Sequence, residues 1–156
     1  MCKDLIHQDA TFMAEAIRSG QTNSFDLISL HIKRFKKFNS KLNGIVTFSE
    51  SALEEAENAD KEFKEGSIRG PLHGVPFTMK DVFDSAGIRT TRGSKLFLNR
   101  IPKRDSEVVN RLKNAGGILI GKTNLPEFAL AAETSGAIFN KGENPWMKGH
   151  TCGGSS

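Results

Sequence analysis

Ser106-Glu-Val-Val-Asn-Arg-Leu-Lys-Asn-Ala-Gly-Gly-Ile-Leu-Ile120 decides the fold class. Val108, Val109 and Leu112 set a helical stripe behind Ser106 as a cap, Gly116-Gly117 releases the chain, and 118–120 is a wholly apolar strand. A helix feeding straight into a buried strand is an αβ unit, so the protein is read as α/β. Upstream, Phe12, Met13, Ala16 and Ile17 space a short helix that Ser19-Gly20 ends. Ser24 is read as the cap of a second amphipathic helix with Leu27, Ile28, Leu30, Ile32 and Phe35 on one face, ending near Asn39. Asn43-Gly44 turns the chain into a short strand at 45–48. Ser51 and Glu54 form a capping-box pattern for a third helix that Gly66 closes.

The chain has 156 residues and a formal net charge of +4, the composition of an ordinary globular protein with one core. Lys33, Arg34, Lys36, Lys37 and Lys41 gather at the end of the second helix, where cations suit the helix dipole and solvate an outer face. Without interleaved aromatics this is no nucleic-acid surface, and no direct nucleic-acid partner is expected. No apolar run approaches the roughly 20 residues of a membrane span, and the N-terminus lacks the apolar core of a signal peptide. A cytoplasmic protein is expected, with Cys2 and Cys152 as free thiols and no metal-ligand spacing.

The chemistry-bearing stretch is His73-Gly-Val-Pro-Phe-Thr-Met-Lys-Asp81. Residues 75–79 read as a short strand that Pro76 marks as an edge or irregular strand and not a central one, so Lys80 leaves a strand end, where α/β sheets open into a crevice. A lysine serves as a base only when desolvation brings an ammonium from about 10.4 toward roughly 7–8. The bland alternative is a buried lysine paired with a carboxylate, for which Asp81 is at hand. The chain ends in Cys152-Gly-Gly-Ser-Ser156, where glycines let a hydroxyl be held in a fixed, exposed position, although such pairs are also common in plain loops. His7 and His31 lie on helices remote from any motif, and His73 and His150 sit in loops without a carboxylate at a recognisable spacing; spacing does not exclude a histidine triad made in space, and lysine is the other base known for serine. Lys122-Thr-Asn-Leu-Pro-Glu127 is read as a second strand end followed by a short helix with Pro126 in its first turn. Gly121-Lys122-Thr123 is not a phosphate-binding loop, because an apolar strand precedes it.

Taken together, the stretches 70–81, Ala115-Gly-Gly-Ile-Leu-Ile-Gly-Lys-Thr-Asn-Leu-Pro-Glu-Phe128, Asn144-Pro-Trp146 and Gly153-Gly-Ser-Ser156 resemble, in order and spacing, the amidase signature family. The resemblance implies a mixed β-sheet flanked by helices, with 1–70 as a mainly helical lead-in and 71–156 as the start of the catalytic core. It implies a Ser-Ser-Lys hydrolase of carbon–nitrogen bonds acting through an acyl-enzyme, without a cofactor or metal. Lys80 matches the family's catalytic lysine and Ser155 its bridging serine, held by a cis peptide bond. Ala129 and Ala131 match part of an acyl-binding wall and suit an uncharged substrate portion.

The family's nucleophile belongs to a second glycine-serine motif downstream of Ser156, so a truncated amidase is expected and residues 1–156 alone are expected to be inactive. The alternatives within and beyond the family are the amidase subunit of a glutamyl-tRNA(Gln) amidotransferase and a non-catalytic fragment or interaction module. The expected partners are accordingly a small-molecule amide, with either a homodimer or amidotransferase subunits, and no membrane.

Overall fold

The structure is a computed structural model that describes residues 5–155. Cys2 and Ser156 lie outside the described residues. The chain folds as two compact units whose segments interleave: one takes residues up to Arg34 with Ser49–Phe77 and Asn110–Ile120, the other Phe35–Phe48, Thr78–Val109 and Gly121 onward.

In the first unit, α1 (Ala10–Arg18) starts at Asp9, whose carboxylate accepts from Phe12 N at 2.8 Å, and buries Met13, Ala14, Ala16 and Ile17. These pack with Leu5, Leu27 and Val75 in one apolar cluster. The second helix, α2 (Ser24–Leu42), is longer than its sequence pattern, and Ser24 is its first residue, not its cap. Asn23 Oδ1 accepts from Asp26 N at 2.7 Å, and the Asp60 carboxylate of α3 (Ala52–Lys64) accepts from Ser24 N at 2.7 Å and Phe25 N at 3.0 Å. The Ser24 hydroxyl is instead buried without a partner, packed where any Cβ on Gly74 would stand 2.0 Å from its oxygen. Asp60→Ala strips two charge-assisted bonds from the start of α2 and is expected to lower stability by about 2 kcal/mol in urea denaturation; no change in midpoint would contradict this cap.

The capping box read at Ser51 does not form: its side chain makes no cap bond and donates to Glu55 Oε1 at 2.6 Å. Asn39, the anticipated end of α2, lies within the helix because its amide is engaged elsewhere, accepting from Ile45 N and donating to Ile45 O, both at 2.8 Å. These two bonds seat the start of β1 (Ile45–Phe48).

The sheet is three-stranded with order β1-β3-β2, where β2 is Pro76–Lys80 and β3 Ile118–Thr123. β1 runs antiparallel to β3, pairing Thr47 with Lys122 and Phe48 with Gly121. Ile118 N donates to Val75 O at 2.8 Å and Asp81 N to Thr123 O at 3.2 Å, so β2 and β3 advance in step and the sheet is mixed. The edge position of β2 suits Pro76, and the almost wholly buried β3 takes the centre. Before β3, α4 (Glu107–Asn114) ends in a glycine turn in which Gly116 N and Gly117 N return to the carbonyls of Lys113 and Leu112. Gly116 has φ +94° and no room for a side chain, since a Cβ would stand 2.7 Å from His73 Cα. Ser106, read as the cap of α4, keeps its hydroxyl buried and unpartnered while its N–H donates to Asp84 O. The α/β architecture with a mixed sheet and flanking helices is therefore as the sequence implied. Among the described residues no helix is long and apolar enough to cross a membrane.

Candidate active site

Lys80 is the last residue of β2, the edge strand that Pro76 opens, and its side chain is half-buried. Its Nζ donates to Ser155 Oγ at 2.5 Å, a contact between residues 75 positions apart. The serine arrives on a segment shaped by its glycines. Gly153 has φ +91°, the bond from Gly154 to Ser155 is cis, and a Cβ on Gly154 would stand 2.8 Å from Glu133 N. Glycine at 154 is thus required by close approach of two backbones.

Thr134 holds this segment, and nothing in the sequence singled it out. Buried to 2% exposure, it donates to the Gly153 carbonyl from N at 3.0 Å and from Oγ1 at 2.9 Å, while its own carbonyl accepts from Gly142 N. Thr151 Oγ1 accepts from Gly153 N at 3.1 Å, and a bridge joins Glu143 to Thr151. A glycine-rich loop in the sequence is therefore a cross-braced one in the fold.

Asp81 is fully buried and does not serve as the partner of its neighbour. Its Oδ2 accepts from Thr91 N at 3.0 Å and Thr91 Oγ1 at 2.6 Å, and its Oδ1 lies 3.9 Å from Lys122 Nζ. The salt-bridge account of Lys80 therefore gives way to a different buried pair. Lys122 is the penultimate residue of β3, within the strand and not after it as the sequence suggested, and is itself fully buried. Its ammonium donates to Phe83 O, to Ser85 Oγ at 3.0 Å and to Thr90 Oγ1 at 3.1 Å. Burial lowers the Lys122 ammonium to about 8 against the opposing pull of Asp81. Burial likewise raises the Asp81 carboxyl, against the bonds from Thr91 and the charge of Lys122. Asp84, by contrast, is held below the usual carboxylate range by Arg100, which grips both its oxygens at 2.6 Å.

His73 is committed elsewhere: it is 1% exposed, its Nδ1 accepts from Arg69 N at 3.2 Å and its Nε2 donates to Ala59 O at 3.0 Å. With both ring nitrogens engaged by backbone, it is a structural histidine. Cys152 is a free, exposed thiol. Ala129 is half-buried in a single 3₁₀ turn, Glu127–Ala129, where the sequence suggested a short helix, and Phe128 and Ala129 both have positive φ. Ala131 is exposed. Among the described residues, no three His, Cys, Asp or Glu side chains converge as a metal site.

Residues 26–156 match the family described as Amidase. The chain belongs to the Amidase family. It is 39% identical over 153 residues to a glutamyl-tRNA(Gln) amidotransferase subunit from Lachnospira eligens, a match covering 97% of this chain and 32% of the relative. The solved native peptide amidase from Stenotrophomonas maltophilia superposes with a TM-score of 0.86 at 29% identity, over 95% of this chain and 32% of that one. The fold is also that of a fatty acid amide hydrolase structure, with a TM-score of 0.90 at 24% identity over 99% of this chain and 27% of that one. This Amidase chain thus spans about a third of the length of the curated relatives it matches.

Proposed function

We propose that the complete protein cleaves carbon–nitrogen bonds of amides by acyl transfer to a serine, with Lys80 and Ser155 as its proton relay. The observation that carries this reading is the hydrogen bond from Lys80 Nζ to Ser155 Oγ at 2.5 Å. In its deprotonated state Lys80 takes the Ser155 hydroxyl proton as Ser155 takes one from the nucleophilic serine, whose oxygen attacks the amide carbonyl. The C–N bond breaks as the relay returns a proton to the leaving amine, and water then hydrolyses the ester. The nucleophile belongs to residues beyond Ser156, so residues 1–156 alone supply the base half of the reaction and little rate. Ala129 and Ala131 would contribute to the wall that receives an uncharged acyl group.

A second reading within the same chemistry is the amidase component of an amidotransferase working with partner subunits; the 39% identity to a protein of that kind supports it. Both readings require a reactive serine. Incubating the complete protein with a fluorophosphonate and measuring its intact mass should show one covalent adduct, and no adduct would overturn both. Glutamine hydrolysis that appears only when partner subunits are added selects the amidotransferase; hydrolysis of simple amides without them selects the amidase.

A further inference from the structure

Lys122 heads the fully buried side chains in size, and an ammonium in that setting persists only when its protons are satisfied. Its acceptors, Phe83 O, Ser85 Oγ and Thr90 Oγ1, all lie on the segment that leaves β2, as does the Asp81 carboxylate. Asp81 is held at four points: both bonds from Thr91 to Oδ2, its N–H on Thr123 O, and its carbonyl accepting from Arg92 N at 3.0 Å. Thr91 is fully buried and its Oγ1 also accepts from Gly93 N at 3.1 Å. The residue fixed at these points is the one next to Lys80, and the relay itself uses none of the three side chains.

We propose that Asp81, Thr91 and Lys122 form a positioning unit that sets where the end of β2 delivers Lys80 Nζ and what net charge surrounds it. This rests on the reading of Lys80 as proton carrier. Other charges also face the unit: Asp84, Asp105 and Arg100 around Lys122, and Arg89 toward Asp81. With Asp81 ionised and Lys122 protonated, the two charges cancel at the residue that follows the end of β2. Removing either leaves an uncompensated charge of opposite sign, and a structural brace alone would have no such signature.

The test is the rate of fluorophosphonate labelling of the complete protein as a function of pH. Thr91→Val, which loses the hydroxyl but keeps the backbone bond to Asp81, should label about 10–100-fold more slowly, a misplacement of the base by a fraction of an ångström up to about 1 Å. Thr91→Ser, which restores the hydroxyl, should stay within about threefold of the parent protein. Asp81→Asn should move the pH midpoint of labelling down and Lys122→Met should move it up. If Lys122→Met does not fold, the Thr91 pair decides the matter. Labelling that is lost in Lys80→Ala but runs at the parental rate in folded Thr91→Val overturns the positioning unit alone. Labelling that persists in Lys80→Ala overturns the relay and takes the positioning unit with it.

Discussion

Lys80→Met in the complete protein should lower kcat/KM for amide cleavage by about 10²–10⁴-fold, the range typical of a positioned proton-transfer group. Methionine keeps much of the length and apolar stem of lysine, and the site is half-buried, so the fold should survive the exchange. What disappears is the Nζ that donates to Ser155 Oγ at 2.5 Å. The loss should fall on kcat and leave KM near its parental value, because the role proposed for Lys80 acts on protons that move in the transition state and not on the bound substrate. A decrease smaller than about tenfold, measured on protein with an unchanged thermal transition, would contradict the assignment of Lys80.

Lys122→Met should also act on stability, by about 3–5 kcal/mol in urea denaturation, because it breaks a buried pair and leaves one partner charged. The stranded group is Asp81, whose Oδ1 is already buried without a hydrogen bond and has the Lys122 ammonium at 3.9 Å. Asp81→Asn combined with Lys122→Met should recover a substantial part of the loss, since neither charge is then left alone. The pH dependence carries a further sign. Burial lowers the Lys122 ammonium from 10.5 to about 8, so between these values the unfolded chain binds more protons and stability from this group rises with pH. Below about pH 8 both states are protonated and the cost of burying the charge is borne in full. Lys122→Met should lack this alkaline rise, and a parental slope in the variant would contradict it.

Much of the architecture could be read from local pattern. The helix before 118–120 and its Gly-Gly exit identify the αβ unit, and Pro76 argues against a central place for β2, because backbone geometry and periodicity act within a few residues. Local pattern misleads where another group, often a distant one, takes the role that the pattern assigns. Asn23 next door and Asp60, remote from the second helix in sequence, together anchor its start in place of the Ser24 hydroxyl, and Asn39 turns from terminator to anchor because β1 supplies its partners. Lys122 looked like the residue after a strand because the apolar run stops at Ile120. Pairing with Thr47 and Phe48 carries the strand further, and the oxygens that solvate the lysine lie 32 to 39 residues away.

The candidate site shows the same division. Lys80 was conspicuous as a charge closing an apolar run, but its meeting with Ser155 spans 75 positions and no periodicity encodes it. Only the ordered set of motifs joined the two. Thr134 and Thr91 gave no signal, since a threonine in a loop looks alike whether it faces water or holds a carbonyl or carboxylate. A buried polar residue beside a candidate site is recognised by its partners, and those are three-dimensional.

If Lys80 and Ser155 act as one relay, a double-mutant cycle on the complete protein measures this directly. Lys80→Ala and Ser155→Ala should each remove most of the rate of fluorophosphonate labelling, and the combined variant should be no slower than the slower single one, because a broken relay cannot be broken twice. Losses that multiply in the double variant would show two residues contributing independently and would contradict the relay.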